Sequence, residues 1–335
     1  MQAAIYGLEA LELTASERDF FRDADPAGFI LFKRNCETRE QVLALTNSLR
    51  ALTGRADLPI LIDQEGGRVA RMKPPQWAAF PAAERFSDLY RIAPSSAMEA
   101  ARSNARAIGL MLREAGINVD ALPLLDVRQE GASDIIGDRA LGSEPMQVAA
   151  LGRAVLDGMA SVGVVGIIKH IPGHGRALVD SHKELPVVTA SAEELEVDLE
   201  PFERLASAPM GMMAHVVYNV WDAERPASMS PVVIREIVRE RLGFDGWLMS
   251  DDIGMEALHG DFGARAAGVV AAGCDVALHC SGNMEEMVAV AAAVPAMSDE
   301  SETRLARAMA TTMIEPDGPD FAESVATRDA LLALA

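Results

Sequence analysis

Short apolar runs recur along the chain, each followed by a stretch whose apolar positions fall at helical spacing. Eight such runs are predicted to be strands: residues 3–8, 28–33, 58–63, 117–126, 164–170, 210–216, 246–251 and 274–280. Most are almost continuously hydrophobic, as strands covered on both faces must be, rather than alternating as half-exposed strands do. Between them, residues 99–114, 146–161 and 193–205 carry apolar side chains at helical intervals. Thr14 with Glu17 and Thr38 with Gln41 have capping-box spacing, and Ser230 precedes Pro231 at a third helix start. Gly116, Gly163, Gly243 and Gly273 follow helical stretches, where a left-handed residue closes the last turn.

Strand and helix thus alternate from end to end, with no Pro/Ser-rich linker and no break in composition. Eight strand–helix units in 335 residues predict an α/β fold of one domain, residues 1–335: a (β/α)8 TIM barrel with additional C-terminal helices beyond about residue 283. A doubly wound open sheet is the alternative, but its glycine-rich GxGxxG turn is absent.

Composition narrows the class of protein. Half the residues are hydrophobic, enough for a sizeable core, which excludes a disordered chain. Lys and Arg number 30 against 50 Asp and Glu, a net charge of −20 with no basic block, so nucleic acid is not an expected partner. The three cysteines, Cys36, Cys274 and Cys280, form no CxxC pair and read as free thiols of a reducing cytoplasm. Seventeen methionines read as core packing. The first residues lack a cationic start and apolar centre, and no run of eighteen apolar residues occurs, so neither export nor membrane spanning is expected.

In a barrel, chemistry sits at the C-terminal ends of the strands. There the predicted strands deliver Asp63, Lys169 with His170, His215, and Asp251 with Asp252. Each alone is ordinary as a helix cap, turn former or structural histidine. Their shared placement at one end of the barrel points to an enzyme acting on a polar substrate. In the stretch 169–186, two glycines and a proline directly after the predicted strand mark a loop, in which Asp180 and His182 stand two apart and share a face of an extended segment. A carboxylate beside an imidazole raises its pKa toward the range useful for acid/base work, although an Asx turn followed by a surface histidine fits the same residues. Trp77 and Trp221 lie past strands where they can stack on a sugar, ordinary packing being the plainer use.

Five blocks now match a known pattern: Asp63 to Arg71 (DQEGGRVAR), Ile136 to Arg139 (IGDR), Lys169 to Gly175 (KHIPGHG), Asp180 to His182 (DSH), and Ser250 to Met255 (SDDIGM). In this order the chain resembles the family-three glycoside hydrolases, specifically bacterial β-N-acetylhexosaminidases of the NagZ type. The resemblance implies a cytoplasmic, monomeric exo-enzyme that removes terminal β-linked N-acetylglucosamine from cell-wall muropeptides, the N-acetylglucosaminyl-anhydromuramyl peptides of peptidoglycan recycling. It implies Asp251 as nucleophile and His182 as general acid/base with Asp180 as its partner. Asp63, Arg71, Arg139, Lys169, His170 and His215 are implied to bind the terminal sugar. No cofactor and no metal ion is expected. Arg176, Ile171 and Gly254 depart from the commoner acidic, aromatic and serine residues of that pattern.

Retaining hydrolysis needs a carboxylate to attack the anomeric carbon and a group that first gives and then takes a proton. A substrate-assisted route through the acetamide needs a carboxylate pair instead. Asp251 and Asp252 are strand neighbours, expected on opposite faces and so ill suited to that role. Three rivals remain: a metal-dependent hydrolase using His170, His174, His215 and Asp251, a non-catalytic amino-sugar-binding protein, and a phosphorylase.

Overall fold

The computed structural model describes residues 1–129, 131, 134–181 and 183–335. Eight parallel strands close into a barrel: β1 (Gln2–Gly7), β2 (Pro26–Leu31), β3 (Ile60–Ile62), β4 (Val119–Asp120), β5 (Val165–Ile171), β6 (Met210–Met213), β7 (Trp247–Asp252) and β8 (Val276–His279). Each strand lies beside its neighbours in sequence, and β8 returns to pair with β1. The (β/α)8 barrel expected from the sequence is therefore the observed fold.

The continuous hydrophobic runs have a direct cause. Along β7, Trp247 and Met249 fill the barrel interior while Leu248 packs outward under the helices; along β2, Ile30 points in while Phe29 and Leu31 point out. Both faces of every strand are thus buried, and apolar residues are needed at consecutive positions. The fourth run is the exception, since pairing stops at Asp120 rather than extending over 117–126. Pro123 has no N–H to give to a ladder, and the chain stays beside β5 through a bond from the Ile167 N–H to the Leu122 carbonyl and a bridge from Leu124 to Lys169.

The outer layer comprises α1 (Ala15–Ala24), α2 (Arg39–Thr53), α3 (Glu84–Ile92), α4 (Pro94–Glu114), α5 (Pro145–Ala160), α6 (Ala192–Arg204), a π-wound helix over Val233–Arg241, α7 (Phe262–Ala272) and α8 (Met284–Ala293). Two more helices follow. In α9 (Asp299–Met309), Leu305, Ala308 and Met309 join the interior cluster, while α10 (Phe321–Leu332) lies on α4 and links to it by Arg328 and Asn104 at 3.1 Å. The Thr14–Glu17 capping box forms, whereas Gln41 turns its carbonyl to the Glu37 N–H instead of completing the second box. Among the described residues no helix is long and apolar enough to cross a membrane.

Candidate active site

The C-terminal ends of the strands open on a cavity of about 380 Å³. One wall is built by the chain leaving β3. Gln64–Gly66 pairs with Val69–Ala70 as a small hairpin, and the buried Gln64 side chain closes it. The Gln64 Oε1 accepts the N–H groups of Arg71 and Met72 at 3.0 Å each, and its Nε2 donates to the Met72 carbonyl at 2.9 Å. Arg71 is thereby returned to Asp63, with Nη2 donating to Oδ2 at 2.7 Å.

Asp63 and Glu65, two apart, meet Lys169 from β5. Its Nζ stands 2.6 Å from Glu65 Oε1 and 3.4 Å from Asp63 Oδ1. Arg139 adds a bidentate pair to Glu65 at 2.8 and 2.9 Å. Burial alone raises both carboxyls, but Lys169 together with Arg71 on Asp63, and with Arg139 on Glu65, reverses this and holds both below their usual range. Below them Asp120 is fully buried and pushed up to about 8 by its burial, with Oδ1 accepting the Gln64 N–H at 2.9 Å.

Asp126 organises the next wall. Its Oδ2 accepts from His170 Nδ1 at 2.7 Å, and Oδ1 accepts the backbone N–H groups of His170 and His174 at 3.2 and 2.6 Å. That bond sets the proton of a neutral His170 on Nδ1 and leaves Nε2 as the other ring atom. The Lys169–His170 peptide is cis, and both side chains border the cavity. His174 is kept neutral, pushed down to about 4 by burial and by His170, and its Nε2 pairs with Ser181 Oγ at 3.1 Å.

β7 supplies the remaining acid groups. Asp251 and Asp252 do not point to opposite faces as the strand period predicts, for both border the cavity. The register with β8 shifts between Met249 and Asp252, which breaks the alternation. They differ in surroundings. Asp252 Oδ1 accepts the N–H groups of Gly254 and Cys280 at 2.9 and 3.2 Å, and its pKa is raised by burial and by Asp251. Asp251 Oδ1 accepts the N–H of Asp252 at 2.8 Å.

Of the residues singled out in the sequence, Asp63, Arg71, Arg139, Lys169, His170 and Asp251 border this one cavity. His215 does not. It is fully buried, with Nδ1 on Ser228 Oγ at 2.7 Å and Nε2 donating to the Asp252 carbonyl at 3.1 Å. Asp180 is half-buried next to the cavity-lining Ser181, and His182 lies outside the described residues. Arg176 turns away to α6, and Ile171 is buried against Gly211. Trp77 is core and Trp221 packs on Tyr218; neither borders the cavity. Among the described residues no three His, Cys, Asp or Glu side chains converge as a metal site.

Sequence reasoning gave no site role to Glu65, Asp126, Phe32 and Cys280, weighed His174 only as a metal ligand and set Asp252 aside as facing away, yet all six build or border the site. Two signals were present: Glu65 shares the face of Asp63 at two-residue spacing, and Asp126 ends the fourth apolar run.

A polar cavity with internally compensated charges at this end of a closed barrel defines an enzyme site for a small polar substrate. The model of the glycosyl hydrolase family 3 N-terminal domain matches residues 2–312. A β-hexosaminidase of Stenotrophomonas maltophilia is 39% identical over 281 residues, 82% of each chain. The native NagZ structure from Neisseria gonorrhoeae superposes with a TM-score of 0.87 at 31% identity, covering 99% of this chain and 98% of that one. The same enzyme in complex with N-trifluoroacetyl-D-glucosamine gives 0.85 at 30% identity, covering 99% and 96%. The chain belongs to glycosyl hydrolase family 3, and it is a glycoside hydrolase of the β-N-acetylhexosaminidase class.

Proposed function

We propose that the protein is a retaining exo-β-N-acetylglucosaminidase that removes terminal β-linked N-acetylglucosamine from peptidoglycan-derived muropeptides. The observation that carries this reading is Asp251, placed at the end of β7 on the same cavity as Asp63, Glu65, Arg71, Arg139 and Lys169. A rigid strand end aims the Asp251 carboxylate, and the charged wall across the cavity offers fixed donors and acceptors to sugar hydroxyls. Asp251 attacks the anomeric carbon as the glycosidic C–O bond breaks. His182, partnered by Asp180, gives its proton to the departing oxygen and then takes one from the water that releases the sugar. His170, with Nδ1 engaged by Asp126, presents Nε2 to a hydroxyl.

The acetamide-assisted route is disfavoured by the engagement of Asp252 with two backbone N–H groups. An amino-sugar ligand is supported by the gonococcal relative, which holds N-trifluoroacetyl-D-glucosamine. In this reading the chain acts as one barrel unit, a monomer in the cytoplasm, on N-acetylglucosaminyl-anhydromuramyl peptides during cell-wall recycling. His215 braces the backbone that carries both aspartates through the Asp252 carbonyl.

The test is turnover of a chromogenic β-N-acetylglucosaminide against the matching β-glucoside, followed by trapping with a 5-fluoro-N-acetylglucosaminide, proteolysis and mass spectrometry. A fluoroglycosyl label on Asp251 is expected. Preference for the glucoside, or a label on another residue, rejects the reading.

A further inference from the structure

We propose that Arg176 and Asp198 are a positioning pair for the histidine wall of the cavity, an inference that rests on the N-acetylglucosaminidase reading above. The chain leaving β5 over residues 172–177 borders the cavity through His174 and is fixed at three points. Asp126 holds the His174 N–H at 2.6 Å. The Tyr218 hydroxyl donates to the Gly173 carbonyl at 2.6 Å. Arg176 reaches α6, where Nε donates to Asp198 Oδ2 at 2.5 Å and Nη2 to the Glu194 carbonyl at 2.7 Å.

Asp198 is almost wholly buried, and its other oxygen, Oδ1, has no hydrogen-bond partner. A buried carboxylate so placed depends on the Arg176 cation beside it, and removing that cation releases the contact. The position of Arg176 in the chain gives the pair its function. Ala177 is buried, while Leu178 is largely exposed, so Arg176 is held just before the chain projects from the barrel. The projecting part then brings Asp180 and Ser181 back, with Ser181 Oγ on His174 Nε2 at 3.1 Å. Arg176 itself does not border the cavity. It acts through His174, Asp180 and Ser181, by fixing the point from which the chain departs.

The charged wall of Asp63, Glu65, Arg71, Arg139 and Lys169 is held by its own ion pairs and His170 by Asp126, so loss of the Arg176–Asp198 contact should fall on turnover and leave sugar affinity near wild type. Four forms decide it: the wild type, Arg176→Ala, Arg176→Lys and Asp198→Asn. For each, kcat and KM on p-nitrophenyl β-N-acetylglucosaminide, inhibition by free N-acetylglucosamine, thermal melting, and the rate of tryptic cleavage after Lys183 are measured. Arg176→Ala is expected to lower kcat roughly 10- to 100-fold, the scale of a small misplacement. Inhibition by N-acetylglucosamine should be unchanged and cleavage after Lys183 faster. Arg176→Lys should recover part of kcat, since an ammonium can meet Asp198 without also meeting the Glu194 carbonyl.

Wild-type kcat and tryptic rate in folded Arg176→Ala, with only a lowered melting temperature, overturn the proposal. So does a kcat loss that Arg176→Lys leaves unrepaired. Should Arg176→Ala fail to fold, wild-type kcat and tryptic rate in Asp198→Asn overturn it equally. A wild type that does not hydrolyse the N-acetylglucosaminide rejects the functional reading, and the tryptic rates then decide the pair alone.

Discussion

Replacing Lys169 by methionine tests the charge network that forms one wall of the cavity. The ammonium is almost fully buried, 2.6 Å from Glu65 and 3.4 Å from Asp63. At an effective dielectric of about 20, the shorter contact alone corresponds to about 6 kcal/mol of Coulomb energy before desolvation. Most of that is offset, because the variant no longer dehydrates an ammonium. Glu65 also keeps its two bonds to Arg139, and Asp63 keeps Arg71. The expected net loss is about 3 kcal/mol of folding stability at pH 7, the lower end for breaking a buried pair. Lys169→Met should also abolish most activity.

The pH dependence carries the sharper signature. In the wild type both carboxyls titrate below their unfolded values, so their contribution is present above roughly pH 4 and is lost as the pH falls through the folded values. Lys169→Met removes the larger of the cations that together outweigh burial at each carboxyl, raising both folded values, so its penalty should be largest near neutrality and shrink in acid. Urea unfolding at pH 7 and pH 4, of Lys169→Met, Glu65→Gln and the double variant, measures this together with the coupling between the two residues. Additive losses, or a penalty that does not shrink in acid, would refute the network as described.

Asp120→Asn should keep the acceptor for the Gln64 N–H while removing a buried acid whose pKa stands near 8. A raised acid costs stability progressively from its unfolded value near pH 4 up to the folded one, so the variant should gain on the wild type by about 1 kcal/mol or more between pH 5 and pH 8 in urea unfolding. Asp126→Asn should cut kcat/KM by about 10- to 100-fold, because an amide can donate to His170 Nδ1 and so exchange the roles of the two ring nitrogens; comparing Asp126→Glu in the same assay checks that charge and geometry both matter. Gly175→Ala should lower stability by about 3 kcal/mol or more in a thermal melt, since its Cβ would stand 1.9 Å from the Val127 carbonyl oxygen.

The barrel was readable in the chain because burial on both faces forces consecutive apolar residues, and that requirement recurs at every strand. The fourth run read too long, since hydrophobicity reports burial and not pairing, and Leu122 to Leu125 stays buried after the ladder has stopped. Asp63, Lys169, His170 and Asp251 could be placed together because the last residues of a strand and the turn after it inherit the strand's position, whereas Arg71 and Arg139 were reached through the family resemblance. Direction was less legible. His215 stands just past β6 much as His170 stands near the end of β5, yet it does not border the cavity and meets Ser228 and the Asp252 carbonyl instead. The adjacency of Asp251 and Asp252 misled for a related reason: a register shift with β8 suspends the period of two on which the expectation stood. Gln64 gave no signal at all, since closing a hairpin with one side chain depends on the path the hairpin takes.

The wall of Asp63, Glu65, Arg71, Arg139 and Lys169 satisfies its own charges before any sugar arrives. The cost of stripping water from those ions has therefore been met once, during folding, and need not be met again at each turnover. An uncharged hexosamine then exchanges its hydration for dipoles already locked in place, with no counterion taken up or released. Occupancy of the sugar subsite should in consequence respond little to ionic strength, even though the molecule around it carries a charge of −20.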